Sequence, residues 1–258
     1  MHMKAVTTYA YMQTRVQVRH GARPDKPVWQ QVGSQRDLGG YLQLARRTSL
    51  RPWVLALHST DAPHRLEGII LGQLHDYIGQ SALWLPRSWH PSVLWVQQLI
   101  DIPALQFLLR DETPPAWMGE HPRYRAFAVN DHQQRRQLLQ HSPYQTLVEC
   151  WQRRYPMVAG WLEQWQRLWP SRAPGGRREL QQLAGTIDQH RRDFETLPPF
   201  RTWRQREALV EKLEYRFRGY SFHPAALFCH IALISLDCER LRGDVMRRSL
   251  FPATESAP

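Results

Sequence analysis

The sequence predicts an all-α protein, and three observations carry that prediction. Apolar residues recur at steps of three and four in one segment after another, the spacing that gathers them on one face of a 3.6-residue period. The strict alternation that would mark half-buried strands is nearly absent. Many of the 19 prolines fall between the periodic segments, where a residue with no N–H and a fixed φ starts or stops a helix.

Taken in order, residues 5–20 carry Tyr9, Tyr11, Met12, Val16 and Val18 with few breakers and read as a helix ended by Pro24 and Pro27. A short segment around Trp29 leads to Ser34, the expected N-cap of a helix over 35–47, with Asp37 in its first turn and Leu38, Leu42 and Ala45 facing inward. Asp61 is the next expected cap, with Pro63 in the opening turn. Leu66, Ile69, Ile70, Leu74, Tyr77 and Ile78 then form a helical stripe, and Glu67, just off it, reads as a solvated acid. Residues 84–91 make a Pro-broken corner rich in Trp. The helix that follows, 92–110, is expected to kink or break at Pro103, with Asp101 bonding backbone freed at the break.

Residues 111–125 read as a polar, Pro-rich connector. Asn130 or Asp131 caps a helix running to 141, Ser142-Pro143 restarts one ending near 155, and Pro156 opens a Trp-rich helix. In that last helix Val158, Trp161, Leu162, Trp165, Leu168 and Trp169 lie three and four apart and read as core. Residues 171–176 are the best flexible linker. A helix over 177–197 stops at Pro198-Pro199, and another spans 202–215.

The chain is organised around its final helix. Pro224 suits the first turn, and Leu227, Ile231, Ile234, Cys238, Leu241 and Val245 form one apolar face of roughly seven turns, about 37 Å long. His230, Asp237, Arg240, Asp244 and Arg248 fall opposite that stripe and are expected outside the core.

Composition narrows the class. With 258 residues the chain can bury a substantial core. A net charge of +11 points to acidic partners: nucleic acid, anionic lipid headgroups or an acidic protein surface. Three cysteines without CxxC spacing fit a reducing compartment. Residues 1–4 are not followed by the apolar run of a secretory leader, and the longest apolar runs fall far short of the ~20 residues of a membrane span. The expectation is a cytoplasmic protein.

Motifs for chemistry are missing. There is no Gly-rich phosphate loop, HExxH, GxSxG or Cys/His set at zinc spacing, so no enzyme activity, metal or cofactor is expected. Arginine doublets at 46–47, 135–136, 153–154, 177–178, 191–192 and 247–248 read as solvated helix surface. A nucleic-acid reading would need them to merge on one face.

Four segments together carry a resemblance. They are Tyr9-Ala10-Tyr11-Met12-Gln13-Thr14-Arg15-Val16; residues 61–70 with the Leu66-Glu67 step; Asp101-Ile102-Pro103-Ala104-Leu105-Gln106-Phe107-Leu108-Leu109-Arg110; and the run from Pro224 through Asp237, Glu239, Leu241 and Arg242. They resemble, in that order, the aromatic-rich opening helix, the start of a long helix and two acid-then-Leu-Arg endings of the family of central-stalk funnel subunits of A-type and V-type rotary ATPases. Ala104 stands where that family commonly has Asn.

The resemblance implies a helical funnel or bundle of about three similar units, here 1–110, 111–170 and 177–252, with a flexible tail at 253–258. It implies a non-catalytic central-stalk subunit that joins the rotor shaft to the membrane rotor ring and transmits torque for ion (proton) transport. Such a protein is cytoplasmic and peripheral to the inner membrane, and the positive charge would suit nearby anionic headgroups. Tyr9, Arg15, Glu67, Asp101, Arg110, Asp237 and Arg242 are then structural motif residues. The alternative is a basic helical nucleic-acid-binding protein.

Overall fold

A computed structural model of the chain describes residues 2–171, 177–196 and 202–251, with side chains described from residue 8 onward except 202 and 203. The linker expected at 171–176, the Pro198-Pro199 stop and the tail at 253–258 lie wholly or mostly outside the described residues. The fold is all-α, and no strand occurs among the described residues.

The last helix is the hub. α13 (Pro224–Leu250) packs against α12 (Thr202–Gly219), α5 (Pro63–Ala82), α1 (His2–Gly21), α11 (Arg178–Thr196) and α3 (Leu38–Ala45). It starts as the proline predicts, with Pro224 in the first turn and the His223 imidazole accepting from the Ala225 N–H at 3.0 Å. Residues 224–231 are all buried, so the first two turns are enclosed on every side. Only beyond Ser235 does burial become one-sided, on Cys238, Leu241, Val245 and Arg248.

Two residues expected outside the stripe are therefore inside. His230 is fully buried and its Nε2 meets the Tyr77 hydroxyl at 2.7 Å. Arg248 is buried because its guanidinium closes a helix end far away in sequence. It donates to the carbonyls of Gln35 at 2.9 Å and Gly33 at 3.2 Å, where α2 (Lys26–Gly33) terminates, and lies over the Tyr41 ring. The same hydrogen-bonded demand explains other arginines expected on the surface. Arg46 donates to the Leu57 carbonyl, Arg177 to that of Trp169 beyond α10 (Met157–Arg167), and Arg135 to four carbonyls around the end of α6 (His90–Leu108). Arg191 and Arg192 pair with Asp188, and Arg191 also with Glu195.

Caps shift several boundaries. The segment around Trp29 is the helix α2, capped by Asp25, and Ser34 closes it instead of opening the next one. Asp37 is the N-cap of α3, its carboxylate accepting from the Gly40 N–H at 2.7 Å. Asp61 does not cap α5; it accepts from the His58 N–H in the preceding turn. Asp131, of the two candidates, caps α8 (His132–Gln140).

The expected break at Pro103 does not occur, and α6 runs through it. A proline inside a helix removes one backbone donor and crowds the carbonyl four residues back. Ile102, Leu105 and Leu108 are buried on both sides of it in the same core, and that packing outweighs the local loss.

A contiguous core spans all these segments. At its centre the Trp-rich α10 meets α6 in a reciprocal exchange: the Trp95 indole donates to the Trp161 carbonyl at 2.9 Å and the Trp161 indole to that of Trp95 at 3.0 Å. Trp165 stands edge-on to Phe228 of α13 and to Trp169, so the indole row is core, as its spacing predicts. At Gly160 an added Cβ would fall 2.2 Å from the Cys150 sulfur; the close crossing of α10 over α9 (Gln145–Gln152) requires glycine there.

Candidate functional site

α5 lies between α6 and α13. Gln97 of α6 donates to the His75 carbonyl at 2.8 Å, and Tyr77 and Glu67 of α5 meet His230 and Arg242 of α13, which makes α13 antiparallel to α5. Above these helices lies a groove of about 470 Å³. Its floor and walls are apolar: Leu71, Leu74 and Ile78 from α5, Val96, Leu99, Ile100, Ala104 and Phe107 from α6, and Cys238 from α13.

The fourth wall is the segment that reads in the sequence as a polar connector. It contains the short helix α7 (Ala116–Glu120) and presents Trp117, Met118, His121, Arg123 and Tyr124 to the groove. The rings stack on one another, with His121 and Tyr124 centroids 4.4 Å apart and 18° from parallel, and Trp117 edge-on to both. Burial lowers the His121 pKa from its ordinary value, and the Arg123 charge lowers it further, so the imidazole is held neutral.

Asp101 anchors this wall. Its carboxylate is 1% exposed and accepts from the Tyr124 hydroxyl at 2.7 Å and the Tyr144 hydroxyl at 2.9 Å. Burial raises both phenols well above their ordinary pKa, with the Asp101 charge acting in the same direction. Arg123 supplies the countercharge, its Nε 3.3 Å from Oδ1, yet the two groups are not aligned for a hydrogen bond. Nε and Nη2 of Arg123 are shielded from solvent and have no hydrogen-bond partner, and the side chain lines the groove.

Along the opposite rim runs an ion chain. Arg242 joins Glu67 of α5 to Glu239, and Glu239 continues at 2.9 Å to Arg206 of α12. These side chains are about one-third exposed, so each pair contributes on the order of 0–1 kcal/mol. Their arrangement balances charge: two acids against two arginines on this rim, and Asp101 against Arg123 on the other wall.

The structure thus brings Glu67 and Arg242 together at the groove and sets Asp101 directly behind it. Glu67 is half-buried in an ion pair, in place of the solvated acid expected, and Asp101 holds two tyrosines, in place of the local backbone. The remaining motif residues lie elsewhere. Tyr9 is core and accepts from the Trp89 indole at 3.0 Å. Arg15 is exposed and donates to the Tyr11 hydroxyl. Arg110 is exposed; its carbonyl accepts from Arg135 and its N–H donates to the Phe107 carbonyl at 3.0 Å. Asp237 accepts two hydrogen bonds from Arg23, at 2.7 and 3.1 Å, which oppose the upward push of burial on its pKa.

Arg123, His121, Trp117, Tyr124 and Tyr144 are functional-site residues that the sequence reading passes over. Their signal was compositional: Trp117, His121 and Tyr124 are a dense aromatic load for a solvated connector. Comparison with protein-family models, curated proteins and solved structures finds no match to this chain. Among the described residues no helix is long and apolar enough to cross a membrane.

Proposed function

We propose that the chain is a non-catalytic central-stalk subunit of an A-type or V-type rotary ATPase, seated between the rotor shaft and the membrane ring and peripheral to the inner membrane. One observation carries the reading. Glu67 and Arg242, on which the resemblance rests at positions 175 residues apart, meet in an ion pair across α5 and α13. A torque-bearing body must resist shear between its helices, and this one has a long helix packed against five others and buried all round for its first two turns. The arginine-closed helix ends add to that stiffness, because each ties one helix terminus to a residue distant in sequence.

The nucleic-acid alternative loses support for the same reason. Arg46, Arg135, Arg177, Arg191, Arg192 and Arg248 of the doublets are engaged with carbonyls or carboxylates of the chain itself. The test is affinity purification of the tagged chain from detergent-solubilised membranes of its source, followed by mass spectrometry. Co-purification of ring and shaft proteins is the expected result. An intact complex that retains the ring and every other stalk component but never this chain would end the stalk reading.

A further inference from the structure

We infer that the groove between α5, α6, α13 and the 115–124 segment is a binding site for one uncharged, slender lipophilic molecule bearing a hydrogen-bond acceptor, such as a carbonyl. This is independent of the stalk reading.

The groove has the dimensions of a small-molecule site. Its 470 Å³ lies within the roughly 300–1,000 Å³ usual for ligand pockets. The lining of α5 runs from His64 to Ile78, about 21 Å at 1.5 Å per residue, so an elongated molecule follows its length.

Charge fixes the rest of the chemistry. Both acids on the rim are matched by Arg242 and Arg206, Asp101 is matched by Arg123, and His121 is held neutral. A charged ligand would shed its water with no unmatched countercharge to meet it. A neutral ligand meets an apolar wall along most of its length and one cationic group, the Arg123 guanidinium, of which Nε and Nη2 have no hydrogen-bond partner. The acceptor belongs at Arg123 beside the His121–Tyr124 stack, and the apolar remainder lies toward Leu74, Ile78, Val96 and Leu99.

The test is saturable binding of Nile red, a neutral dye with a carbonyl, to the full chain, followed by displacement with dodecan-2-one and with dodecanoate. The expected result is one site, displaced at least tenfold more effectively by the ketone. Ala104→Trp and Leu71→Trp, at two half-buried positions of the wall, fill the groove and abolish dye binding while the circular dichroism spectrum stays that of the parent. Two substitutions guard against one of them failing to fold. Equal or better displacement by dodecanoate overturns the assignment of an uncharged ligand. Absence of saturable binding, or unchanged binding in a folded groove-filled variant, overturns the site.

Discussion

Two arginines 12 residues apart in sequence, one buried and one half-buried, show what separates a structural cation from one beside a cavity. Arg135 is 1% exposed and all three of its nitrogens donate: Nε to Leu108 at 2.6 Å, Nη1 to Val129 at 2.8 Å, and Nη2 to Arg110 and Glu112 at 2.9 and 3.0 Å. It closes the carboxyl end of α6 and fastens the 109–131 segment over it. Arg123 lies in that same segment, beside a cavity, with a countercharge but no aligned acceptor. Four carbonyls hold the first in place, whereas the second retains unused donor capacity where the wall is otherwise apolar.

Exchanging each arginine for methionine breaks the comparison most directly. Arg135→Met leaves several carbonyls without a donor and is expected to lower unfolding stability by about 3–5 kcal/mol in urea or guanidinium titration. A loss below about 1 kcal/mol would show that water replaces the guanidinium at the end of α6 and that the closure is not structural.

A second group sharpens the distinction between an unmet polar atom and a site. His230 Nδ1 also lacks a partner, but it faces packed core, with Nε2 on the Tyr77 hydroxyl. Burial, reinforced by His20, Arg23 and Arg19, lowers its pKa to about 3. Because the folded pKa lies below the unfolded value of about 6.5, the unfolded chain takes up a proton that the folded chain refuses, and stability falls as pH drops from 6.5 toward 3. From pH 7 to pH 5 the decline is about 2 kcal/mol by chemical denaturation, and His230→Gln flattens it. An unchanged slope in that variant would place the acid sensitivity elsewhere.

Arg123→Met should cost less than Arg135→Met, about 1–2 kcal/mol, chiefly because Asp101 loses its countercharge. Combining it with Asp101→Asn recovers part of that loss, and the double-mutant cycle should give a coupling of about 1 kcal/mol. Zero coupling would mean that the ion pair across 3.3 Å is not an energetic one.

The smallest effect belongs to the opposite rim. Glu67→Gln is expected to lower stability by less than about 1 kcal/mol, and by less still at high salt, because the pair with Arg242 is about one-third exposed. A thermal-melting series in salt that leaves the parent and the variant equally far apart would show that the pair is not screened.

Much of the fold was legible because it rests on local rules. Pro224 opens α13 and Pro63 opens α5, the α5 stripe through Leu66, Ile70, Leu74 and Ile78 is buried, and Trp161, Trp165 and Trp169 face the core as their spacing requires. The site was less legible. Glu67, Asp101 and Arg242 stand out as residues, but nothing in their spacing says that Asp101 reaches Tyr124 and Tyr144, or that Glu67 and Arg242 lie side by side. Pro103 misled for the opposite reason: its local penalty is real, and distant packing exceeds it.

Helical class, most helix starts and the apolar faces were determined by sequence alone, because periodicity and capping act within a few residues. Which arginines are surface and which are closures, and that a polar-looking connector forms the fourth wall of a groove, were decided only by the tertiary structure. A guanidinium finds its acceptors wherever the chain leaves unpaired carbonyls, and those of Arg248 and Arg135 lie as far as 215 and 27 residues away.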